Sequence, residues 1–525
     1  MRARNRLRIA SAGLQFLYDA WIKRVERSTE LRSEFQRAAR EWTWRPQFSI
    51  LLYARSGYTA EELSRSIESV ENQIYSCSSL IGPANTIEGK IAAADAEFVI
   101  PLRIGDMLSE VALFRFAEAL QTQPNGALLY GDHDHLDDNG RRTCPWFKPR
   151  WNEEMFLAQD YLSPAVAIKA DLAQRISEDG PQNPDTLLLP ATSAAEGAIV
   201  HVPHILCHVD SRTGEQGRID AIARHLQVRG ATCSPGPFNT VKVAWPLPDP
   251  LPLVTIIIPT KDKLDLLRPC LDSILRRTEY PNYEVLIVDN GSVDVRTARY
   301  LADVERDPRI RVLSYPGTYN FSAINNFAVR EAQGSHLCLL NNDTEVIAGA
   351  WLTEMMRYSV RFDVGAVGAK LLYDDGTIQH AGVVVGIGEA AGHAHRFLPA
   401  DRPGYFRMAH VAQFVSAVTA ACLVVDKRKF MAVGGLDEER FAVAFNDVDF
   451  CLKLKAAGWR NVYVPHAVLF HHESKSRGLD SSPTNVERFR RELQILQSRW
   501  GTKGYEDPHF SPNLDPRSET FVIAS

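Results

Sequence analysis

The chain reads as an α/β protein made of two related units, and three observations predict this. Short unbroken apolar runs, of which Val254 to Pro259 (VTIIIP) is the clearest, alternate with segments of helical periodicity. Polar, turn-forming residues follow those runs, where strands would end. The opening pattern of the second half also occurs once before, near residue 48. Unbroken apolar runs suit parallel strands buried on both faces, which need helical crossovers between them. A recurring pattern marks a repeated structural unit.

Residues 1–45 form a basic helical segment. Lys and Arg number 11 there against 5 Asp and Glu, a net +6, and Arg2, Arg4, Arg6 and Arg8 open it. Asp19 and Lys23 make it too polar for a secretory leader. Leu14, Leu17, Trp21 and Val25 recur at helical spacing. That face fits either a helix lying peripherally on the anionic inner face of the cytoplasmic membrane or one packed on the domain behind it.

Residues 46–244 form the first α/β unit, in which Phe48 to Leu52 followed by Glu61 to Gln73 parallels Val254 to Pro259 followed by Leu264 to Arg277. The linker 245–252 (WPLPDPLP) carries four alternating prolines, which exclude a helix and disfavour a central strand. The second unit, 253–525, begins with the strand Val254 to Pro259, the helix Leu264 to Arg277 and the strand Tyr283 to Val288. Strand Arg309 to Leu313, helix Ser322 to Ala332, strand His336 to Leu340 and helix Val448 to Ala457 continue it, and a helical tail closes it.

Composition removes several classes. A hydrophobic share of 45% in 525 residues supports more than one core. A net charge of -5 argues against nucleic acid as a partner, since that binding rests on clustered positive charge. The eight cysteines contain no C-x-x-C pair, so neither a zinc ribbon nor a disulfide scaffold is expected, and a reducing cytoplasm fits. No run reaches the roughly 18 apolar residues of a spanning helix.

Four acids fall at strand ends or loops of the second unit: Asp262 in PTKDK, Asp289 in VDNGS, Asp343 in NNDTEV and Asp447 in FNDVDFCLKLKAAGW. His471 and His472 follow in LFHHESKSRG. Together with FSAINNFAV, SAVTAAC and GGLDEE, these motifs resemble glycosyltransferase family 2, in its two-domain O-antigen or rhamnosyltransferase-like branch. The resemblance covers most of the chain from Val254 onward, and several motifs agreeing in order make it specific.

The resemblance implies a GT-A fold, Rossmann-like and of the nucleotide-diphospho-sugar transferase kind, for the second unit. It also implies inverting transfer of a sugar from a dTDP- or UDP-linked donor to a glycan or lipid-linked acceptor, in cell-surface polysaccharide biosynthesis. A departing nucleoside diphosphate concentrates negative charge that a hard divalent cation, Mn²⁺ or Mg²⁺, neutralises. By resemblance Asp343 and His471 are the metal ligands, with His472 the second choice, while Asn341 stands where the family's D-x-D motif has an acid. The acceptor hydroxyl must lose a proton as it attacks, and Asp447 inherits that base role. Asp289 is assigned to the nucleobase, Asp262 to the ribose and Arg477 to the diphosphate.

Plainer readings stand beside these. Asp289 suits a turn before Asn290-Gly291, His471 a hydrogen-bonded loop ring and Arg477 a solvated one. Asp449, two residues from Asp447, points off the same helix face and reads as structural, with the reverse assignment left open. His380, His393 and His395 lack acidic or cysteine partners at ligand spacing and read as acceptor-side or structural.

Residues 48–210 resemble the N-terminal glycosyltransferase-like domain of two-domain members, notably in LLYGDHDHLDDNGRRTCPWFKPRWNEEMFLAQDYL. The stations are missing: Arg103 and Gly105 in PLRIGD cannot hold a cation, SSLIGP lacks the base-reading acid, and Leu187 to Ala195 offers no general base. Asp132 to His135 (DHDH) is expected to be an acidic turn in a surface loop. This half reads as a degenerate GT-A-like domain serving as scaffold, dimer surface or acceptor platform. A sugar-nucleotide pyrophosphorylase would need a glycine-rich loop that PTKDKLD lacks, and a processive synthase would need spanning helices. The remaining rival is a non-catalytic glycan-binding or scaffold protein.

Overall fold

The computed structural model describes residues 2–26, 28–54, 58–76, 79–84, 95–177, 184–195, 197–210, 218–472 and 483–524. The first unit contains strands β1 (Phe48–Tyr53), β2 (Ser79–Ala84), β3 (Phe98–Arg103), β4 (Met107–Leu108), β5 (Leu128–Leu136), β6 (Arg142–Trp146), β7 (Val166–Lys169) and β8 (Ile199–Asp210). They pair in the order β2-β1-β3-β7-β5-β8-β4, with β6 added to β5. A hairpin of β9 (Thr232–Pro235) and β10 (Val241–Ala244) leads to the prolines.

The second unit opens with β11 (Val254–Thr260), β12 (Tyr283–Asp289), β13 (Ile310–Ser314), β14 (His336–Leu340), β15 (Thr344–Val346) and β16 (Val364–Leu372). Short strands β17 (Ile378–His380), β18 (Val383–Val385), β19 (Ala391–His393) and β20 (Gln413–Val415) precede β21 (Cys422–Asp426) and β22 (Arg460–His471). The main sheet runs β13-β12-β11-β14-β21-β16-β22-β15. Every residue of β11 is buried, as its unbroken apolar run demands. The helix Leu264–Arg277 lays Leu267, Cys270, Leu271 and Ile274 on the sheet. Each such fully buried Leu or Ile stabilises the fold by roughly 1.5–3 kcal/mol.

Without the edge strand β13, the two sheet orders coincide strand for strand. The directions coincide too: β1·β3 and β11·β14 are parallel, β3·β7 and β14·β21 antiparallel, β5·β8 and β16·β22 parallel, and β4·β8 and β15·β22 antiparallel. The repeat seen in sequence is a repeat of topology.

The two units share a hydrophobic core cluster, which includes Tyr161 and Leu188 of the first and Ile256, Met355 and Val464 of the second. Asn152 donates from Nδ2 to Phe414 O at 2.9 Å and accepts from Phe414 N at 3.0 Å, imitating a strand pair. Trp146 stacks on Phe406 with ring centroids 4.3 Å apart. Glu154, fully buried, binds Arg361 and accepts from Trp245 Nε1 at 3.1 Å.

The first helix, Arg2–Val25, buries Tyr18 and Trp21 against Phe147, and Leu17 and Val25 pack on the same core. Three of the four residues on the nominated face are therefore engaged with the domain behind them, while Leu14 and Phe16 are 50% and 73% exposed. No helix among the described residues is long and apolar enough to cross a membrane. The seven described cysteines are free thiols.

Asp132 to His135 departs from expectation. These residues lie inside strand β5 and not in a surface loop, with Asp132 and Asp134 fully buried. Asp134 accepts from Tyr18, from Arg142 Nε at 2.5 Å and from His208 Nδ1 at 2.6 Å, while Asp132 pairs with His201 Nε2 at 2.8 Å. A strand interior tolerates such acids only when basic and hydroxyl partners surround them. Apart from Arg142, eight residues on, those partners lie 69 and 74 residues away or in the first helix, which is why local sequence suggested a turn.

Candidate active site

The carboxyl edge of the second sheet collects the polar stations. Register pairs Thr260 with Asp289 across β11 and β12, and Thr260 Oγ1 accepts from Asn342 Nδ2 at 3.1 Å, so three strand ends meet in one row. Asp289 Oδ1 accepts from Ser292 N at 3.0 Å and Ser292 Oγ at 2.5 Å, closing a turn that needs Gly291 at φ +78°. Ser292 Oγ also accepts from Asp262 N at 2.7 Å, which ties the two acids to one hydroxyl. Asp262 sits at φ +52° and accepts from Val293 N and Asp294 N, both at 2.8 Å. Asp289 thus serves as the turn former of the plainer reading and still ends a buried strand at the ligand edge of an α/β sheet.

Beyond β14 the backbone turns through Asn341, Asn342 and Asp343 into β15, whose antiparallel register with β22 places Thr344 opposite His471. That register brings His471 Nε2 to 3.3 Å from Asp343 Oδ1 and 3.2 Å from Asn341 Nδ2. Both Asp343 and His471 are buried, and His471 Nδ1 has no hydrogen-bond partner among the described residues. His472 faces the other way, as strand alternation requires, to Asp374 and to Glu345 Oε2 at 3.8 Å. His472 meets Asp343 only through its backbone N, which donates to Asp343 O at 2.9 Å, whereas the His471 ring stands beside the Asp343 carboxylate. One carboxylate, one imidazole and one amide form a donor set compatible with a hard divalent ion. Among the described residues no group of three or more His, Cys, Asp or Glu side chains is placed to hold a metal.

Asp447 occupies the first turn of the helix Asn446–Ala456, entered through Phe445 at φ +59°. Its Oδ2 accepts from Ala420 N at 3.1 Å, and the next residue, Ala421, accepts from Asn341 N at 3.0 Å. Asp447 is therefore linked to the Asn341–Asp343 turn through Ala420 and Ala421. The segment carrying Ala420 lies flat on β16 because Gly368 leaves room: a Cβ there would meet Val418 at 2.5 Å. Asp449 is fully buried and accepts from Arg499 Nη1 at 2.8 Å and Trp500 Nε1 at 2.9 Å, with Lys453 Nζ at 3.6 Å.

These contacts fasten the C-terminal helix Pro483–Trp500 over the site, helped by Glu492, which accepts from Val443 N at 3.2 Å and Ala444 N at 2.7 Å. A cavity of about 1040 Å³ opens between that helix and the strand ends. Asp262, Asn341 and Asn342 line it together with Tyr315, Tyr319 and Asn320. Asp289, Asp343, Asp447 and His471 stand behind that wall, each one residue or one hydrogen bond from a lining residue, save Asp447, which is two steps away. Arg477 lies outside the described residues. The cationic wall that is described comes from Lys261, Lys263, Arg488 and Arg491. Arg488 and Arg491 went unnoticed in the sequence, although their spacing of three in a terminal helix puts both on one face.

The remaining histidines are packed. His380 Nδ1 lies 3.2 Å from His393 Nδ1, and burial drives the His380 ring well below its ordinary value. His395 Nε2 accepts from Tyr405 N at 3.2 Å, and burial pushes its pKa down to about 3.

The family model described as Glycosyl transferase family 2 matches residues 255–386, from the second residue of β11 through β18. The second unit belongs to glycosyl transferase family 2. The family's α/β GT-A fold is the one the strand order shows. The chain is 39% identical over 459 residues to the "Uncharacterized protein y4gI" of Sinorhizobium fredii, covering 83% of this chain and 50% of that one. It is 36% identical over 501 residues to the "O-antigen biosynthesis protein RfbC" of Myxococcus xanthus, covering 90% of this chain and 38% of that one. It thus spans half or less of these two relatives. Over 262 residues it is 27% identical to an N-acetylglucosaminyl-diphospho-decaprenol L-rhamnosyltransferase of Mycobacterium tuberculosis, covering 44% of this chain and 79% of that one. The first two matches run through the family 2 unit into the half before it, in keeping with the two-domain O-antigen-type branch.

Proposed function

We propose that the second unit transfers a sugar, with inversion, from a dTDP- or UDP-linked donor to a glycan or lipid-linked saccharide in cell-surface polysaccharide synthesis. The observation that carries this reading is the meeting of Asp343, His471 and Asn341, which Ala420 and Ala421 link to Asp447. Asp343 and His471 would hold a divalent cation, Mn²⁺ or Mg²⁺, whose charge offsets that of the departing diphosphate. Lys261, Lys263, Arg488 and Arg491, on the cavity wall, favour an anionic ligand there. Asp289 and Asp262, fixed through Ser292, suit a pyrimidine edge and a ribose.

In the transfer, the acceptor oxygen bonds to the anomeric carbon while the bond from that carbon to the diphosphate oxygen breaks. The acceptor's proton passes to the Asp447 carboxylate. Each Asp447 oxygen accepts one backbone N–H, from Val448 and Ala420, which fixes the group and leaves lone pairs for that proton. Inversion follows from the single displacement.

The first unit supports a wall of the assembly and a platform for the acceptor. The +6 segment would meet an anionic membrane with its exposed Leu14 and Phe16, since Trp21 is spent on packing. A panel of nucleotide sugars, assayed for hydrolysis and transfer with and without Mn²⁺, tests the central reading. Metal-dependent turnover of one donor that is lost in Asp447→Asn is expected. Tight glycan binding without turnover of any donor would favour a non-catalytic scaffold instead.

A further inference from the structure

The first unit repeats the station that gathers Asp343 and His471. Phe98 N donates to Gln47 O as His336 N does to Leu253 O, and Ala170 N donates to Glu97 O as Lys427 N does to Ser335 O. These bonds place Phe98 on His336, so that counting along each strand, 98 to 103 and 336 to 341, places Arg103 on Asn341. From the other side, β4 pairs Met107 with His208 as β15 pairs Thr344 with His471. Asp106 therefore falls on Asp343 and His208 on His471. The one extra residue between Arg103 and Asp106 is absorbed at Gly105, whose φ is +103°.

The sequence alone hid this match, because the insertion shifts Asp106 out of phase and its register is set by β8, about a hundred residues later. The chemistry at the repeated station differs. Arg103 donates from Nε to Asp106 Oδ2 at 3.1 Å and from Nη2 to Oδ1 at 3.4 Å, and Asp106 is fully buried. A buried carboxylate needs a compensating charge, and here a side chain supplies it. His208 turns to Asp134, with Nδ1 2.6 Å from Oδ1.

We propose that Asp106 and His208 stand where Asp343 and His471 stand in the other unit, and that the Arg103 guanidinium on Asp106 takes the place a divalent cation would take there. The inference rests on the metal reading of Asp343 and His471 for its analogy, and its test does not. Arg103→Asn rewrites the first unit's set as Asn, Asp and His, the set of the second. Thermal unfolding with Mn²⁺ alone is the measurement, on the full chain. R103N is expected to melt below the wild type and to regain roughly 3 °C at about ten times Kd, a gain absent from R103N/D106N.

A folded R103N that Mn²⁺ shifts no more than the double variant overturns the proposal. Should R103N not fold, Asn341→Arg puts the same question to the second unit. Loss of the Mn²⁺ shift in N341R supports a guanidinium filling the cation's place, and an unchanged shift overturns it. A wild type indifferent to Mn²⁺ beside a responsive R103N would sink the Asp343–His471 reading and leave this one standing.

Discussion

Asp447 and Asp449 leave one helix two residues apart, and the first accepts from Ala420 N at 3.1 Å while the second accepts from Arg499 Nη1 at 2.8 Å. The proposed base and the anchoring carboxylate are thereby neighbouring acids with separate partners. Asp447→Asn is expected to lower kcat by about 10²- to 10⁴-fold with little change in donor KM or melting temperature. Asp449→Asn should instead lose about 3 kcal/mol of stability, because Arg499 and Lys453 lose a buried counter-charge. Steady-state transfer and urea unfolding read the two effects, and a stable, inactive D449N would reverse the assignment.

The proposed metal station makes a graded prediction. Asp343→Asn and His471→Ala should each weaken Mn²⁺ binding by at least ~10-fold, whereas His472→Ala, whose ring faces Asp374 and Glu345, should leave it within about twofold. Asn341→Asp restores an acid beside His471 and should tighten binding. Titration calorimetry measures all four, and equal losses at His471 and His472 would contradict the register argument.

Asp289 is expected to act in donor binding alone. Replacing it with Asn keeps an acceptor for Ser292 and removes the charge, so donor KM should rise by about tenfold, near 1.4 kcal/mol. Ser292→Ala should give a smaller rise in the same direction, since its hydroxyl joins Asp289 to Asp262. A D289N protein with unchanged KM and lowered kcat would place the acid elsewhere in the reaction.

Acid should destabilise the fold through its buried rings. Burial pushes His395 from 6.5 down to about 3 and His380 in the same direction. Between those values the unfolded chain binds the proton that the folded chain refuses, so stability falls as pH drops below about 6.5. The His395 ring contributes roughly 1.4 kcal/mol per pH unit over that window, and His380 acts in the same direction. His395→Gln, which keeps an acceptor for Tyr405 N, should flatten the slope measured by urea unfolding from pH 7.5 to 5. An unaltered slope would mean that His395 is protonated in the native state.

Arg361 binds the fully buried Glu154 of the other unit. Arg361→Ala leaves that carboxylate without its cation and should cost about 3–5 kcal/mol. Because the bond joins the halves, calorimetry is expected to show one transition in the wild type and a broadened or divided one in the variant. A single sharp transition in both would mean that the shared core alone couples the units.

Much of the catalytic unit was legible because its strands are apolar on both faces and its helices periodic: Leu264–Arg277 and His336–Leu340 fall where the residues predict them. Asp262, Asp289 and Asp343 were legible for the same reason, since each lies at or just beyond the end of a strand, whereas Asp447 opens a helix. What hid was long-range pairing. Nothing near Asp134 announces Tyr18 or His208, and nothing near Asp106 announces the strand that aligns it with Asp343. The choice between His471 and His472 likewise needed the register of β15 on β22.

Asn152 holding both backbone atoms of Phe414, and Trp146 lying on Phe406, make the first unit a mechanical part of the second. Trimming the chain ahead of the prolines would bare an aromatic face and orphan the edge of β20 at Phe414, two residues before the Ser416 to Cys422 stretch, whose Ala420 N binds Asp447. A unit that carries none of the proposed site can thus still be indispensable, as a keystone is to an arch.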